Sequence, residues 1–171
     1  MKRALINILF FSFWLIFTGA CQCPPKSLVA PEKEPFKEAL LFAEKHLPKQ
    51  GKLVQRENGY AYIKVDDNYI NELFGLLHAE PGYKKPPYFR RPDAPGAHIS
   101  VVYEDEHVKL KEVGQEFSFT LRKIVTVRLK DGTSYMVLEV IAPELENLRV
   151  SYGLSRKLKN HEFHISIAKK A

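Results

Sequence analysis

The stretch Ala97-His98-Ile99-Ser100-Val101 decides how this chain is interpreted, because Phe163-His164-Ile165-Ser166-Ile167 repeats its form near the carboxyl end. Both stretches read apolar, His, apolar, Ser, apolar. Successive side chains of a β-strand point to opposite faces, so each histidine shares a face with the serine two residues on. The apolar positions can then anchor each strand in a core. The pattern predicts two strands that present His98, Ser100, His164 and Ser166 to one site.

Two histidines with two serines suit acid–base chemistry on a phosphoryl group. A neutral imidazole can remove a proton and a protonated one can supply a proton, because histidine titrates near neutral pH. The serine hydroxyls can donate hydrogen bonds to phosphate oxygens as charge develops on them. This chemistry needs no metal and no cofactor, and the pattern does not say which histidine is the base. For either motif alone, a core histidine satisfied by a neighbouring hydroxyl is the simpler interpretation, but the pair favours a site.

The paired motifs resemble those of the 2H phosphoesterase superfamily, which has two His-x-Ser/Thr strands about one lobe apart. Residues 59–169 are similar in layout to bacterial RNA 2',3'-cyclic phosphodiesterases. Residues 57–106 and 143–168 most resemble the RNA-repair-like, or Swiss army knife, branch. The resemblance implies an α+β fold of two pseudo-equivalent lobes with antiparallel sheets, and a central cleft lined by the two motif strands. It also implies metal-independent opening of a 2',3'-cyclic phosphate on RNA ends or nucleotides.

Other outcomes stay open on the same resemblance. Related proteins use these residues to trim RNA ends or to ligate them reversibly through 2',5' linkages. A different class is a non-catalytic exported lipoprotein that holds an anionic, phosphate-containing ligand in the same cleft. Intact pairs at both motifs favour the enzyme, whereas export counts mildly against RNA as the physiological substrate.

The remaining pattern is that of a mixed domain. Apolar periodicity predicts helices that begin near residues 35, 67 and 143. Alternation predicts strands over residues 60–65, 97–103, 117–121, 124–129, 135–141 and 163–168, with a hairpin turn at Asp131-Gly132. Residues 78–96 form a long loop with five prolines and two glycines, a length that is often functional or disordered.

Several side chains near the motifs are candidates for substrate contacts. Tyrosines of the long loop can stack on a base, and its arginines can attract a phosphate. Arg149 and Tyr152 belong to the helix before the second motif and can face the cleft. The alternative is a solvated charged loop whose tyrosines pack on the domain. The substrate-binding candidates are Tyr83, Tyr88, Arg90, Arg91 and Tyr152.

The first residues read as an export signal. Met1-Lys2-Arg3 is positive, an apolar run follows, and Thr18-Gly19-Ala20 supplies small residues, so residues 1–20 are predicted to be a signal peptide. Residues 18–21 resemble a bacterial lipobox, which implies that Cys21 is lipidated and that Gln22 directs the protein to an outer membrane. An uncleaved anchor, a secreted protein and a strained Cys21–Cys23 disulfide are the alternatives.

Composition is consistent with one exported domain. Residues 21–34 are predicted to be a tether and residues 35–171 the phosphoesterase-like domain. The formal net charge of +6 falls to +4 without Lys2 and Arg3, a mild basic excess that argues against duplex DNA as a partner. We therefore expect a monomer, held at a membrane by lipid or anchor in the periplasm or outer membrane, with a phosphodiester substrate.

Overall fold

The computed structural model describes residues 36–77, 81–89 and 94–171. The predictions for the signal peptide, for Cys21 and for the tether fall outside these residues, as do those for Arg90 and Arg91. Within the described ranges, no helix is both long enough and apolar enough to cross a membrane.

Seven strands of the described chain form one antiparallel sheet. They are β1 (Gln50–Gln55), β2 (Ala61–Lys64), β3 (His98–Val102), β4 (Glu116–Ser118), β5 (Thr120–Arg128), β6 (Ser134–Ile141) and β7 (His164–Lys170). Their order across the sheet is β4-β1-β2-β3-β7-β6-β5. The two motif strands, β3 and β7, are therefore neighbours at the centre. They join through the pair Ile99 and Ile165, so the two predicted lobes share one continuous sheet and the α+β prediction is confirmed.

Four α-helices of the described chain accompany the sheet. They are α1 (Lys37–His46), α2 (Asn68–Asn71), α3 (Leu73–Leu76) and α4 (Pro143–Ser151). Proline opens α4, as predicted, because its missing N–H needs no partner in the first turn. The second predicted helix is divided at Glu72 into α2 and α3, but its inner residues Ile70 and Leu73 are both fully buried.

One row of aliphatic residues explains which face of the sheet is the core. The register aligns the row across five strands, and each member is 8% exposed or less: Ile63, Ile99, Ile165, Leu138 and Ile124. Burying each such side chain stabilises the fold by roughly 1.5–3 kcal/mol. Because side chains alternate along a strand, the residues on either side of this row point to the opposite face. That face carries the motif histidines and serines.

Two local features show where the sequence pattern predicted the structure and where it did not. The Asp131-Gly132 hairpin is confirmed, since Leu129 N donates to Thr133 O (2.7 Å) and Gly132 has φ of 87°. Strand β1 was not predicted, because its sequence QGKLVQ is polar at most positions. Only Leu53 of this strand is fully buried, so alternation gives little signal.

Candidate active site

The strand register places each motif histidine beside the serine of the other motif. Ile99 and Ile165 are direct partners in the antiparallel pair of β3 and β7. His98 therefore lies opposite Ser166, and Ser100 lies opposite His164. Directly opposed residues have Cβ atoms about 4.5–5.5 Å apart. The four side chains thus form one contiguous group on the cleft face of the sheet.

Both imidazoles are held by the same kind of hydrogen bond. His98 Nδ1 donates to Gly96 O at 2.8 Å, and His164 Nδ1 donates to Glu162 O at 2.8 Å. A carbonyl can only accept, so Nδ1 carries the proton in each neutral ring. The other ring nitrogen, Nε2, is left free to exchange a proton with a bound molecule.

Glycine is required at the start of the first motif strand. Gly96 has φ of 61°, in the left-handed region, and a Cβ there would collide with the paired side chains of Lys64 and Asp67. Asp67 Oδ1 also accepts a hydrogen bond from Ala97 N (2.8 Å). This packing fixes the carbonyl of Gly96 where His98 Nδ1 reaches it.

Each motif serine has a tyrosine beside it. The hydroxyls of Ser100 and Tyr60 are 2.7 Å apart, and Tyr88 lines the cleft with Ser166, which lowers the pKa of its phenol in opposition to burial. Burial raises the pKa of Tyr60 to about 12, and burial also raises the pKa of Tyr88. Both phenols therefore stay protonated near neutral pH. Each can donate to its serine oxygen, which leaves the serine proton free for a phosphate oxygen.

His98 lies in an enclosure of aromatic rings and is only 9% exposed. The ring centroids of Tyr88 and Tyr62 lie 4.7 and 5.5 Å from that of His98, both edge to face. Burial lowers the pKa of His98, and the nearby charge of Lys64 acts in the same direction, although the Gly96 carbonyl opposes the shift. His98 is consequently neutral near pH 7, as a general base must be.

The group opens into a cleft of about 410 Å³. Its apolar wall comes from the β5–β6 hairpin, where Val127 and Leu129 are 38% and 45% exposed. The lining also includes Tyr103, whose ring lies 4.8 Å from Lys159 Nζ. The lining is formed by Tyr88, His98, Ser100, Tyr103, Val127, Leu129, Tyr135, Val137, Glu139, Lys159, His161, Glu162, His164 and Ser166.

Comparison with protein families agrees with this geometry. The model of the family described as "Swiss Army Knife, 2H phosphoesterase domain" matches residues 61–171. The chain belongs to this family. No curated protein and no solved structure gives a significant match. The matched region runs from β2 to the end of the chain and so contains both motif strands, and membership implies phosphoesterase activity in general terms.

The 2H domain brings some of the predicted site residues together. His98, Ser100, His164, Ser166 and Tyr88 all line the cleft. Tyr88 reaches it because the loop backbone pairs with β7 at Lys84 and Lys169 and because Gly96 N donates to Tyr88 O (3.0 Å).

Other predicted contacts of the 2H domain lie elsewhere. Tyr83 packs against the core with Lys170 Nζ 5.7 Å from its ring, and it is not among the cleft residues. Tyr152 is not among them either, because its hydroxyl donates to Glu112 Oε2 (2.8 Å) and accepts from Lys111 N (2.8 Å).

Arg149 is a structural residue of the 2H domain rather than a cleft residue. Its side chain is fully buried, and its guanidinium donates to Glu106 Oε1 (2.7 Å) and to the carbonyl of Val101 on β3. Burial opposes ionisation of Glu106, but the hydrogen bonds from Arg149 hold the pKa of this carboxyl below its usual range. The pair fastens α4 to the end of the first motif strand.

Sequence reasoning missed four neighbours of the motif residues. Tyr60, Tyr62 and Lys64 alternate around β2 on the cleft face, and Glu139 interrupts an apolar strand directly opposite His164. Side chains alternate between the two faces of a strand with a period of two residues, so the sequence did contain a signal that these four residues lie on the cleft face. Within the described parts of the 2H domain, no group of three His, Cys, Asp or Glu side chains has the arrangement of a metal site.

Proposed function

We propose that the protein is a metal-independent phosphodiesterase that opens a 2',3'-cyclic phosphate on nucleotides or RNA ends. The observation that supports it best is the crossed register, which sets His98 against Ser166 and His164 against Ser100 on one face. Such an arrangement offers two proton-exchanging nitrogens and two hydroxyl donors on the wall of one cleft.

The reaction follows from these groups. A neutral imidazole removes a proton from water while the water oxygen bonds to phosphorus. One P–O ester bond of the ring breaks, and the second, protonated imidazole gives its proton to the departing ribose oxygen. The serine hydroxyls donate to the non-bridging oxygens as negative charge grows there. The product is a ribose phosphomonoester with a free neighbouring hydroxyl.

The dimensions of the cleft favour a substrate larger than the cyclic phosphate alone. A volume of about 410 Å³ leaves room for a nucleoside beside the histidines. The exposed side chains of Val127 and Leu129, with Tyr135 behind them, offer an apolar surface to the flat face of a base. Lys159 of the same lining offers a positive charge to a further phosphate.

We also propose that the domain works outside the cytoplasm, anchored by lipid on Cys21. This proposal rests on the apolar run and small residues before that cysteine. Intact-mass spectrometry should find a mature chain that begins at Cys21 with added lipid mass. A mature chain without lipid would indicate secretion instead, and an unprocessed Met1 would indicate a membrane anchor.

The decisive experiment is a turnover assay with the purified protein and a panel of phosphodiesters. Nucleoside 2',3'-cyclic phosphates should be hydrolysed in excess chelator, whereas 3',5'-cyclic diesters and linear diesters without an activated leaving group should react far more slowly. A variant that combines His98→Ala with His164→Ala serves as the blank. Binding of the cyclic substrates without turnover would overturn the enzyme in favour of a binding protein. Loss of activity in chelator with rescue by a divalent ion would overturn the two-histidine scheme.

A further inference from the structure

We propose that two charged residues beside the motifs, Lys64 and Glu139, fix the roles of the two histidines, making His98 the general base and His164 the general acid. This inference rests on the proposed function, which supplies the reaction. It goes beyond that function because the two motifs are identical in sequence form and do not distinguish base from acid. Lys64 and Glu139 act as positioning residues through the histidines.

The register gives the two histidines neighbours of opposite charge. Lys64 of β2 is the direct partner of His98, and Glu139 of β6 is the direct partner of His164. Partners in register point to the same face, so each charge lies beside an imidazole within the cleft face. A cation disfavours the protonated imidazole, whereas a carboxylate favours it. The register therefore sets a positive charge against the imidazole of His98 and a negative charge against the imidazole of His164.

The other groups around His98 do not reverse this effect. Asp67 pairs with Lys64 and also accepts the hydrogen bond of Ala97 N, and with this pair in place burial and Lys64 still lower the pKa of His98. Arg56 lies 5.8 Å from the Tyr62 ring and adds a second positive charge near His98. The rings of Tyr62 and Tyr88 enclose the imidazole and leave it only 9% exposed. Burial and these cations both lower the pKa of His98.

Side chains of both positive and negative charge surround His164, and the least exposed of them is that of Glu139. Glu139 has a side chain that is 17% exposed, and its Oε2 accepts no hydrogen bond. Arg122 and Lys123 approach that oxygen only to 3.7 Å and are about half exposed, so solvent screens them.

Three more charged or titratable groups lie in the cleft with His164. Glu162 supplies the carbonyl that binds its Nδ1, while the carboxylate of Glu162 is paired with Lys157 at 2.5 Å and with Arg122 at 3.4 Å. His161 lines the same cleft, as does Lys159, which is paired with Asp105 at 3.1 Å. Glu139 is thus the acidic group that the register sets directly against the imidazole.

These roles account for both proton transfers of the reaction. His98 Nε2 takes a proton from water as the water oxygen bonds to phosphorus. His164 Nε2–H gives its proton to the ester oxygen whose bond to phosphorus breaks. The cycle leaves His98 protonated and His164 neutral, and exchange with solvent restores the starting state.

Nitrogen NMR of the full chain, labelled in its histidines, tests the protonation states without any turnover. At pH 7, His98 should be neutral and His164 should show the larger protonated fraction. Lys64→Met should raise the protonated fraction of His98 alone, and Lys64→Arg should restore it. Glu139→Gln should lower the protonated fraction of His164 alone. The exposed residues Lys45 and Glu144 give matched controls, Lys45→Met and Glu144→Gln, which should change neither.

Leaving-group kinetics test the roles themselves. A p-nitrophenyl phosphodiester has a leaving group that departs without a proton, so it needs the base but not the acid. His164→Ala should lose about 10²–10⁴-fold on the cyclic substrate and less than about ten-fold on the p-nitrophenyl diester. His98→Ala should lose a similar factor on both.

The opposite pattern, rescue of His98→Ala by the activated leaving group, would overturn the assignment. So would an NMR spectrum in which His98 is the more protonated ring. Absence of turnover on every substrate would instead count against the proposed function, and the NMR result would still decide the charge states.

Discussion

The two motif strands carry the same residues in unlike surroundings. Both histidines bind the carbonyl two residues before them, and both serines have a tyrosine beside them in the site. His98, however, is buried among tyrosine rings, whereas His164 is more exposed and stands among charged side chains. The comparison shows that identical motifs lie in different surroundings, which the neighbouring strands supply.

The strands also differ in how they are supported. β7 pairs with β6 at six positions, from Ser134 with Lys170 to Glu139 with His164. β3 pairs with β2 at four positions, and the carbonyl of Val101 is bound by the buried guanidinium of Arg149. The first motif strand therefore depends on a side chain from α4.

The largest expected effect comes from removing either imidazole. His98→Ala and His164→Ala should each lower kcat/KM for the cyclic substrate by about 10²–10⁴-fold, the usual contribution of a general acid or base. The double variant should lose less than the product of the two factors, because the residues act as a unit. Steady-state kinetics of the three variants measure this, and near-normal activity in either single variant would remove that histidine from the mechanism.

The support of β3 can be broken at Arg149. Arg149→Met leaves the Glu106 carboxylate without its partner, and it should lower the free energy of unfolding by about 3–5 kcal/mol. Arg156→Met is the matched control on an exposed arginine, and it should change stability by less than about 0.5 kcal/mol. Urea unfolding followed by circular dichroism gives both values. Equal stabilities of the two variants would show that β3 needs no such support.

Substitution of the two serines should have similar effects on turnover. Ser100→Ala and Ser166→Ala each remove one donor to the phosphate oxygens and should lower kcat by about 10²-fold, with a smaller change in KM. If one serine only positions its tyrosine, its alanine variant will instead keep kcat and alter stability. Comparing kcat, KM and thermal unfolding for the two variants separates these cases.

The smallest effect is a shift of the pH profile when the enclosure of His98 is opened. The pKa of His98 lies below its ordinary value of 6.5, so the base stays neutral and kcat/KM persists as pH falls to that value. Tyr88→Ala admits water, raises the pKa of His98 and should move the acidic limb to higher pH. Tyr88→Phe keeps the ring and should hold the limb nearer its original position. Tyr83→Ala, from the same loop but outside the cleft, should leave the limb unchanged.

The sequence predicted the elements with clear periodicity and the residues that repeat. The His-x-Ser strands, the Asp131-Gly132 hairpin and the proline that opens α4 all carry local signals. β1 was missed because polar residues dominate it. The prediction for Tyr152 was wrong because helical periodicity does not show which part of the chain a helix face packs against. The hydroxyl of Tyr152 bonds to Glu112 instead of facing the cleft.

Cross-strand register is the information that one sequence does not contain. Lys64 and Glu139 stand 34 and 25 residues away from the histidines they oppose. Alternation along the strand predicts on which face of the sheet each side chain lies. The residue that each one opposes depends on the register of β2 and β6 against the motif strands. Tyr60 was missed for the same reason, since its hydroxyl meets Ser100 only through folding.

The pairing of Ile99 with Ile165 places the candidate site on a seam between two halves of the sheet. His98 and Ser166 lie on one side of this pair, and Ser100 and His164 lie on the other. Both isoleucines are fully buried, so two side chains of the core hold the halves of the site in register.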